Sequence, residues 1–123
     1  MPTFSQDYPP LLGSIDAAVQ HARTVVGDQQ PDRVDDAAKI VRALFVDALT
    51  RTGSAGNISL ITSVNSSRIR FEIHDPNTPI PGATLDPDAH RLISALADQY
   101  GSGGTRGGHV AWAELHDRQA APV

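Results

Sequence analysis

Arg68-Ile69-Arg70-Phe71-Glu72-Ile73-His74 is the stretch on which the fold turns. Successive side chains of an extended chain point to opposite faces, so Ile69, Phe71 and Ile73 share one side and Arg68, Arg70, Glu72 and His74 the other. Alternation this clean predicts a strand in a sheet with one covered face and one wet face. The run Ile58 to Ser63 reads as its antiparallel neighbour, joined to it by a turn at Asn65-Ser66.

Helical spacing dominates on the N-terminal side. Ser14 is placed to cap a helix carrying Ile15, Ala18, Val19, Ala22, Val25 and Val26, with Gly27 as its stop. A second helix is predicted from Pro31, with Asp32, Asp35 and Asp36 suited to the positive end of its dipole. Val34, Ala37, Val41, Leu44 and Ala48 form one stripe, and Ile40, Phe45 and Leu49 widen it. A stripe that wide implies a largely buried helix that ends at Gly53. The first ten residues, with Pro9-Pro10, read as an extended arm or a short edge strand.

On the C-terminal side, Asp75 to Pro87 is a proline-rich loop. Asp86-Pro87 opens a third helix with Leu92, Ile93, Leu96 and Ala97, ending at Gly101. Gly101 to Gly108 reads as a flexible connection into a last strand, His109 to Leu115. The fold class expected is α+β, a two-layer sandwich with a mixed β-sheet and three helices on one face. Residues 1–13 are expected to form an arm, 14–116 one domain and 117–123 a flexible tail.

The chain has 123 residues, enough for one hydrophobic core, and its 40% hydrophobic and 20% charged content is that of a globular domain. With no cysteine, disulfides, thiolate catalysis and cysteine-ligated zinc are excluded. The net charge is −4 with scattered basic residues, which argues against a nucleic-acid surface held by counterion release. No apolar run approaches a membrane span, and the N-terminus lacks the regions of a signal peptide, so a cytoplasmic location is expected. Lys39 is the sole lysine among ten basic residues, a composition that fits a GC-rich, actinobacterial genome.

Three stretches resemble a known family. Ala43 to Gly53, with Ala43, Asp47 and Gly53 at the diagnostic places, is similar to the N box E-L-x-x-N-A-x-x-H-x-G. Phe71-Glu72-Ile73-His74-Asp75 looks like its first glycine box. Ala95 to Gly101 and Gly107 to Leu115 are similar to the end of small actinobacterial members. These resemble the histidine-kinase-like (GHKL or Bergerat) ATPases, in the branch of the anti-sigma-factor serine kinases. The resemblance covers residues 14 to 115 and implies ATP or ADP with Mg²⁺ as cofactor. It further implies a homodimer and a protein partner, either a sigma factor or an anti-anti-sigma-like protein.

Carried over residue by residue, the resemblance makes Asp75 the acceptor for the adenine amino group and Asp47 the metal ligand. Arg51 becomes a phosphate contact, and Gly82 a substitute for glycines displaced by Pro76 and Asn77. The departures concern chemistry. Ala43 stands where active relatives have a glutamate, and alanine cannot act as a base, a role that contributes about 10²–10⁴-fold to rate. No catalytic residue is therefore assigned. The lid signature G-x-R-G-L corresponds to Asp88-Ala89-His90-Arg91-Leu92, without the glycines that let phosphate approach backbone amides.

Plainer readings stand beside these. Asp75 followed by Pro76 is also an ordinary turn, and Asp47 an exposed acid paired with Arg51 at i+4. The glycine run lacks a Walker lysine. His21, His74, His90, His109 and His116 lack metal-site spacing and read as surface or strand-end residues. Asn57-Ile58-Ser59 matches a glycosylation sequon that matters only in a secreted chain, and Trp112 reads as core. The leading functional expectation is a regulator with a degenerate ATP site, acting through protein partners. The alternatives are an active ATP/Mg-dependent serine kinase and anti-sigma factor, or a small-molecule-binding module in the former nucleotide pocket.

Overall fold

A computed structural model describes residues 2–52, 56–65, 67–76, 86–105 and 108–117, apart from the side chains of Arg51 and Thr52. Strand β1 (Thr3–Tyr8) precedes helix α1 (Gly13–Gln29), a single 3-10 turn (Pro31–Arg33) and helix α2 (Val34–Thr52). Strands β2 (Ile58–Val64) and β3 (Arg68–Asp75), helix α3 (Pro87–Leu96) and strands β4 (Gln99–Thr105) and β5 (Gly108–His116) follow. The strands form one sheet in the order β1-β2-β3-β5-β4.

All four ladders are antiparallel, where a mixed sheet was expected. The reason lies in the crossover. The connection from β3 through α3 to β4 sends β4 in the direction of β3, which would make a parallel pair of neighbours. The hairpin partner β5 sits between them, so each strand has only antiparallel neighbours.

The alternation in β3 decides the layers as expected. Ile69, Phe71 and Ile73 are fully buried, together with Leu60 of β2 and Ala111, Ala113 and Leu115 of β5. Against this face pack Ile40, Val41, Leu44, Phe45 and Ala48 of α2, while Ala18, Val19, Ala22 and Val26 of α1 complete the core. Truncating one of its aromatic anchors to alanine would cost about 3–5 kcal/mol.

Several boundaries differ from expectation. Ser14 is no cap: its hydroxyl donates to the Pro9 carbonyl (2.8 Å), and α1 begins at Gly13 with Leu12 in the cap position, two residues earlier. The helix passes through Gly27 and ends before Gln30, whose backbone (φ −140°, ψ 72°) has left the helical region disfavoured ahead of Pro31. Gly53 and Ser66 lie outside the described residues, but Asn65 behaves as a turn residue, its Oδ1 accepting from the Ser67 and Arg68 amides (2.9 and 2.8 Å). The N-terminal segment takes the edge-strand form of its two expected readings, as β1, while α3 stops at Leu96 rather than at Gly101.

Gly101 to Thr105 of the glycine run belong to strand β4 rather than to a flexible connection, because β5 holds them. Gly101 pairs with Trp112, and a Cβ there would meet the indole at 2.9 Å, so the ring lies against bare backbone. Trp112 is consequently on the open face, not in the core. It is opposite Glu72, and the Arg70 guanidinium stacks 4.0 Å from its ring centroid.

Around that stack the open face carries a charge network. Arg70 reaches Glu72 (2.8 Å) and Glu114 (3.0 Å), while His74 contacts Glu72 (2.9 Å) and His116 contacts Glu114 (3.1 Å). Partial burial pushes both glutamates up, but these hydrogen bonds and charges outweigh it and hold both carboxyls below the usual range. A carboxyl depressed by folding contributes stability that is complete above its unfolded value and disappears as pH falls through the folded one. The urea midpoint should therefore fall between about pH 6 and about pH 3, with a shallower fall in Glu114→Gln. An unchanged pH profile in that variant would remove Glu114 from the account.

A second polar cluster ties the elements together at the opposite end of α3. Arg33, buried at 4% exposure, donates to the Leu96 carbonyl (2.8 Å), the His116 carbonyl (3.2 Å), Asp98 (3.2 Å) and Asp36 (3.1 Å). Asp98 also accepts the His116 amide (2.8 Å). Partial burial raises the Asp98 carboxyl, and the His116 amide and Arg33 outweigh that effect and leave it depressed. Arg33→Ala should cost about 3–5 kcal/mol in urea unfolding, because it strands these acceptors. A loss below about 1 kcal/mol would show that water replaces the guanidinium.

Candidate functional site

Ala43, Asp47 and Thr50 are spaced i, i+4 and i+7, which puts them on one face of α2. That face meets the start of α3 across a groove of about 410 Å³. Val46 of α2 and Ala89 and Leu92 of α3 complete its apolar lining, with Asp86 and Asp88 at the α3 start and Lys39 and Arg42 also on its walls. The two N-box positions singled out in the sequence therefore do face one cavity. Ala43 contributes a methyl group there, and no acid or base.

Asp47 is not the exposed acid of the plainer reading. It is 3% exposed, and its Oδ1 accepts the backbone N–H of Asp86 at 3.0 Å. Asp86 in turn caps α3, its Oδ2 accepting from the amides of Asp88 (3.1 Å) and Ala89 (3.3 Å). The Asp86-Pro87 signal thus marks the helix start as expected. The amides at this end, which elsewhere would attract phosphate, already face two carboxylates of the chain itself.

A divalent cation can be tested against this donor set. Mg²⁺ takes one or two carboxylates together with phosphate oxygens and water in strict octahedral geometry. The described residues bring only Asp47 into the groove from the expected site, with one of its oxygens committed to α3. No group of three or more His, Asp or Glu side chains converges among the described residues. Of the expected metal site, the described residues place Asp47 alone in this groove, and no chemistry is routed through a magnesium ion. The Arg51 side chain and Gly82 lie outside the described residues, so their expected phosphate and glycine roles have no geometry here.

Asp75 lies at the end of β3, on the helix-facing side with Ile69, Phe71 and Ile73. It does not line the α2–α3 groove. Its side chain is 0% exposed and faces His109 of β5, whose Nδ1 lies 3.6 Å from Asp75 Oδ2. His109 is buried rather than a surface residue, and it sits directly opposite Asp75 in the ladder. The signal for this was present in β5: His109, Ala111, Ala113 and Leu115 alternate, which puts the histidine on the covered face. Gly108 makes the approach possible, since a Cβ there would lie 1.9 Å from the Asp75 carbonyl oxygen.

Comparison with known proteins follows the fold closely and the sequence hardly at all. No protein-family profile and no curated protein matches the sequence. The crystal structure of the RsbU and RsbW domains of Rv1364c from Mycobacterium tuberculosis superposes with a TM-score of 0.75 at 12% identity. That match covers 100% of this chain and 35% of the other, so the chain spans about a third of that protein. The catalytic domain of the histidine kinase ThkA, in a nucleotide-free form, superposes with a TM-score of 0.57 at 11% identity, covering 95% and 98%. Likeness at these identities establishes the fold that this chain shares with those two domains. No helix among the described residues is long and apolar enough to cross a membrane.

The Asp47–Asp86 contact makes a direct prediction. Asp47→Ala leaves the start of α3 without its acceptor and should cost about 1–3 kcal/mol. Asp47→Asn keeps an amide oxygen there and should cost less. Urea unfolding of both beside the wild type measures this, and equal losses would mean that charge, not the hydrogen bond, matters.

Proposed function

We propose that this chain is a regulator on the anti-sigma-factor-kinase scaffold that has lost phosphotransfer and acts by binding a protein partner. The partner would be a sigma factor or an anti-anti-sigma-like protein, met in the cytoplasm by a homodimer. One observation carries the reading. The amides at the start of α3 are capped by Asp86, and Asp47 is bonded to that cap, so two carboxylates stand where a polyphosphate would need donors. At about 4 Å, like charges repel by about 4 kcal/mol at the effective dielectric of a protein surface. Ala43 adds to this by supplying no base. The RsbW-type fold of the neighbouring structure supports the scaffold half of the proposal.

A second reading has its own support. The α2–α3 groove, at about 410 Å³, is of the size that holds small molecules, with apolar walls and a few polar groups. A small-molecule-binding module would use it for a ligand with less charge than ATP. An active serine kinase is the remaining alternative, because phosphoryl transfer depends mainly on positioning and charge neutralisation.

Calorimetric titration with ATP and Mg²⁺, then with ADP alone, separates these readings. Silence up to about 1 mM is expected. Micromolar ATP·Mg binding, or ATP turnover abolished by Asp47→Ala, would overturn the proposal. Ala43→Glu should not create turnover, since it leaves both carboxylates at the start of α3. ATP hydrolysis by that variant would show that the missing base was the whole defect.

A further inference from the structure

The Asp75–His109 pair is the most deeply buried set of ionisable groups in the described sheet. Its side chains are 0% and 2% exposed. Burying an imidazole and a carboxylate side by side costs solvation that two apolar residues would not incur, and at 3.6 Å the two are in charge contact rather than hydrogen-bonded. The two residues share one register position, and Gly108 lets the strands close until no side chain fits between that glycine and the Asp75 carbonyl. Nothing about strand formation calls for histidine here: Ala111, Ala113 and Leu115 fill the remaining positions on this side of β5.

We propose that His109 is a built-in occupant of the Asp75 site: its imidazole takes the place before the carboxylate that the amino edge of a purine would need. This rests on the reading of Asp75 as the former adenine acceptor and deepens it, because it names the group that keeps the site shut. The chemistry matches on both sides. An exocyclic amino group and a protonated ring nitrogen both present N–H to a carboxylate oxygen, and both belong to flat aromatic rings. An Nδ1 carrying a proton is attracted to Asp75 Oδ2 at 3.6 Å, whereas an Nδ1 lone pair would be repelled by it. The site is closed to adenine by substitution of the ligand, with Asp75 itself intact.

The test uses adenosine, which has the purine edge and no phosphate, titrated into the full chain. Wild type should be silent to about 1 mM, and His109→Thr, which keeps a strand-forming residue, should gain about ten- to a hundredfold in affinity. Adding Asp75→Ala to that variant should abolish the gain. A His109→Thr protein with wild-type circular dichroism and no adenosine binding would overturn the role given to His109 while leaving the lost-nucleotide reading in place. Tight ATP·Mg binding by the wild type would instead remove that reading and this one with it. Should His109→Thr fail to fold, nitrogen-15 spectra of the wild-type imidazole decide: a protonated Nδ1 supports the proposal, and a bare Nδ1 overturns it.

Discussion

One guanidinium holds the two layers of this fold in register. Arg33 sits where the 3-10 turn feeds α2, and its donors reach the last turn of α3 at Leu96, the approach to β4 at Asp98 and the end of β5 at His116. Three parts of the chain far apart in sequence, the α2 start, the α3–β4 connection and the end of β5, thus meet on one planar fork. A cation at the C-terminal end of α3 also meets the negative end of that helix dipole. An isolated charge at this depth would be prohibitively costly, and the four acceptors make it a strong directional joint.

That joint sets the geometry of the groove at the other end of α3. The helix is ten residues long, about 15 Å, so fixing its far end leaves little freedom to its start. The start is held separately by Asp47 through the Asp86 amide. Pinned at both ends, α3 is held against α2 across the groove. A ligand that needed the α3 amides would have to displace Asp86 and break the Asp47 contact. One that needed only the apolar walls would not.

Legibility in the sequence followed how local each cause was. The alternation of β3, the wide stripe of α2 and the Asp86-Pro87 start of α3 depend on neighbours within a few residues, and all three stand as read. The misread features depend on partners distant in sequence. β4 looks like a linker because its glycines have no side chains to pattern; it is a strand because Trp112 of β5 covers Gly101. Trp112 looks like core because it is large and apolar, yet parity with Glu72 sends it to the charged face, where Arg70 covers it. Asp47 looked exposed because its partner is a backbone amide 39 residues away. His109 could have been placed from the alternation of β5, but not its meeting with Asp75.

The same division separates scaffold from chemistry. The residues that make this fold are apolar side chains on the covered sheet face and on α2, and many sequences satisfy them, which is why a TM-score of 0.75 coexists with 12% identity. The nucleotide site that the sequence resemblance implies depends instead on a few end groups: a carboxylate at the end of β3, bare amides at the start of α3, a base on α2. Each can be altered without touching the core. Here the α2 position is Ala43, the α3 amides face Asp86, and the β3 carboxylate faces His109. Two of the three fill a recognition group with a chemically matched partner from within the chain, an acid for the amides and an imidazole for the acid. A site that had merely decayed would leave buried polar groups unsatisfied, at about 1–3 kcal/mol each. Capping by Asp86 removes that cost at the start of α3.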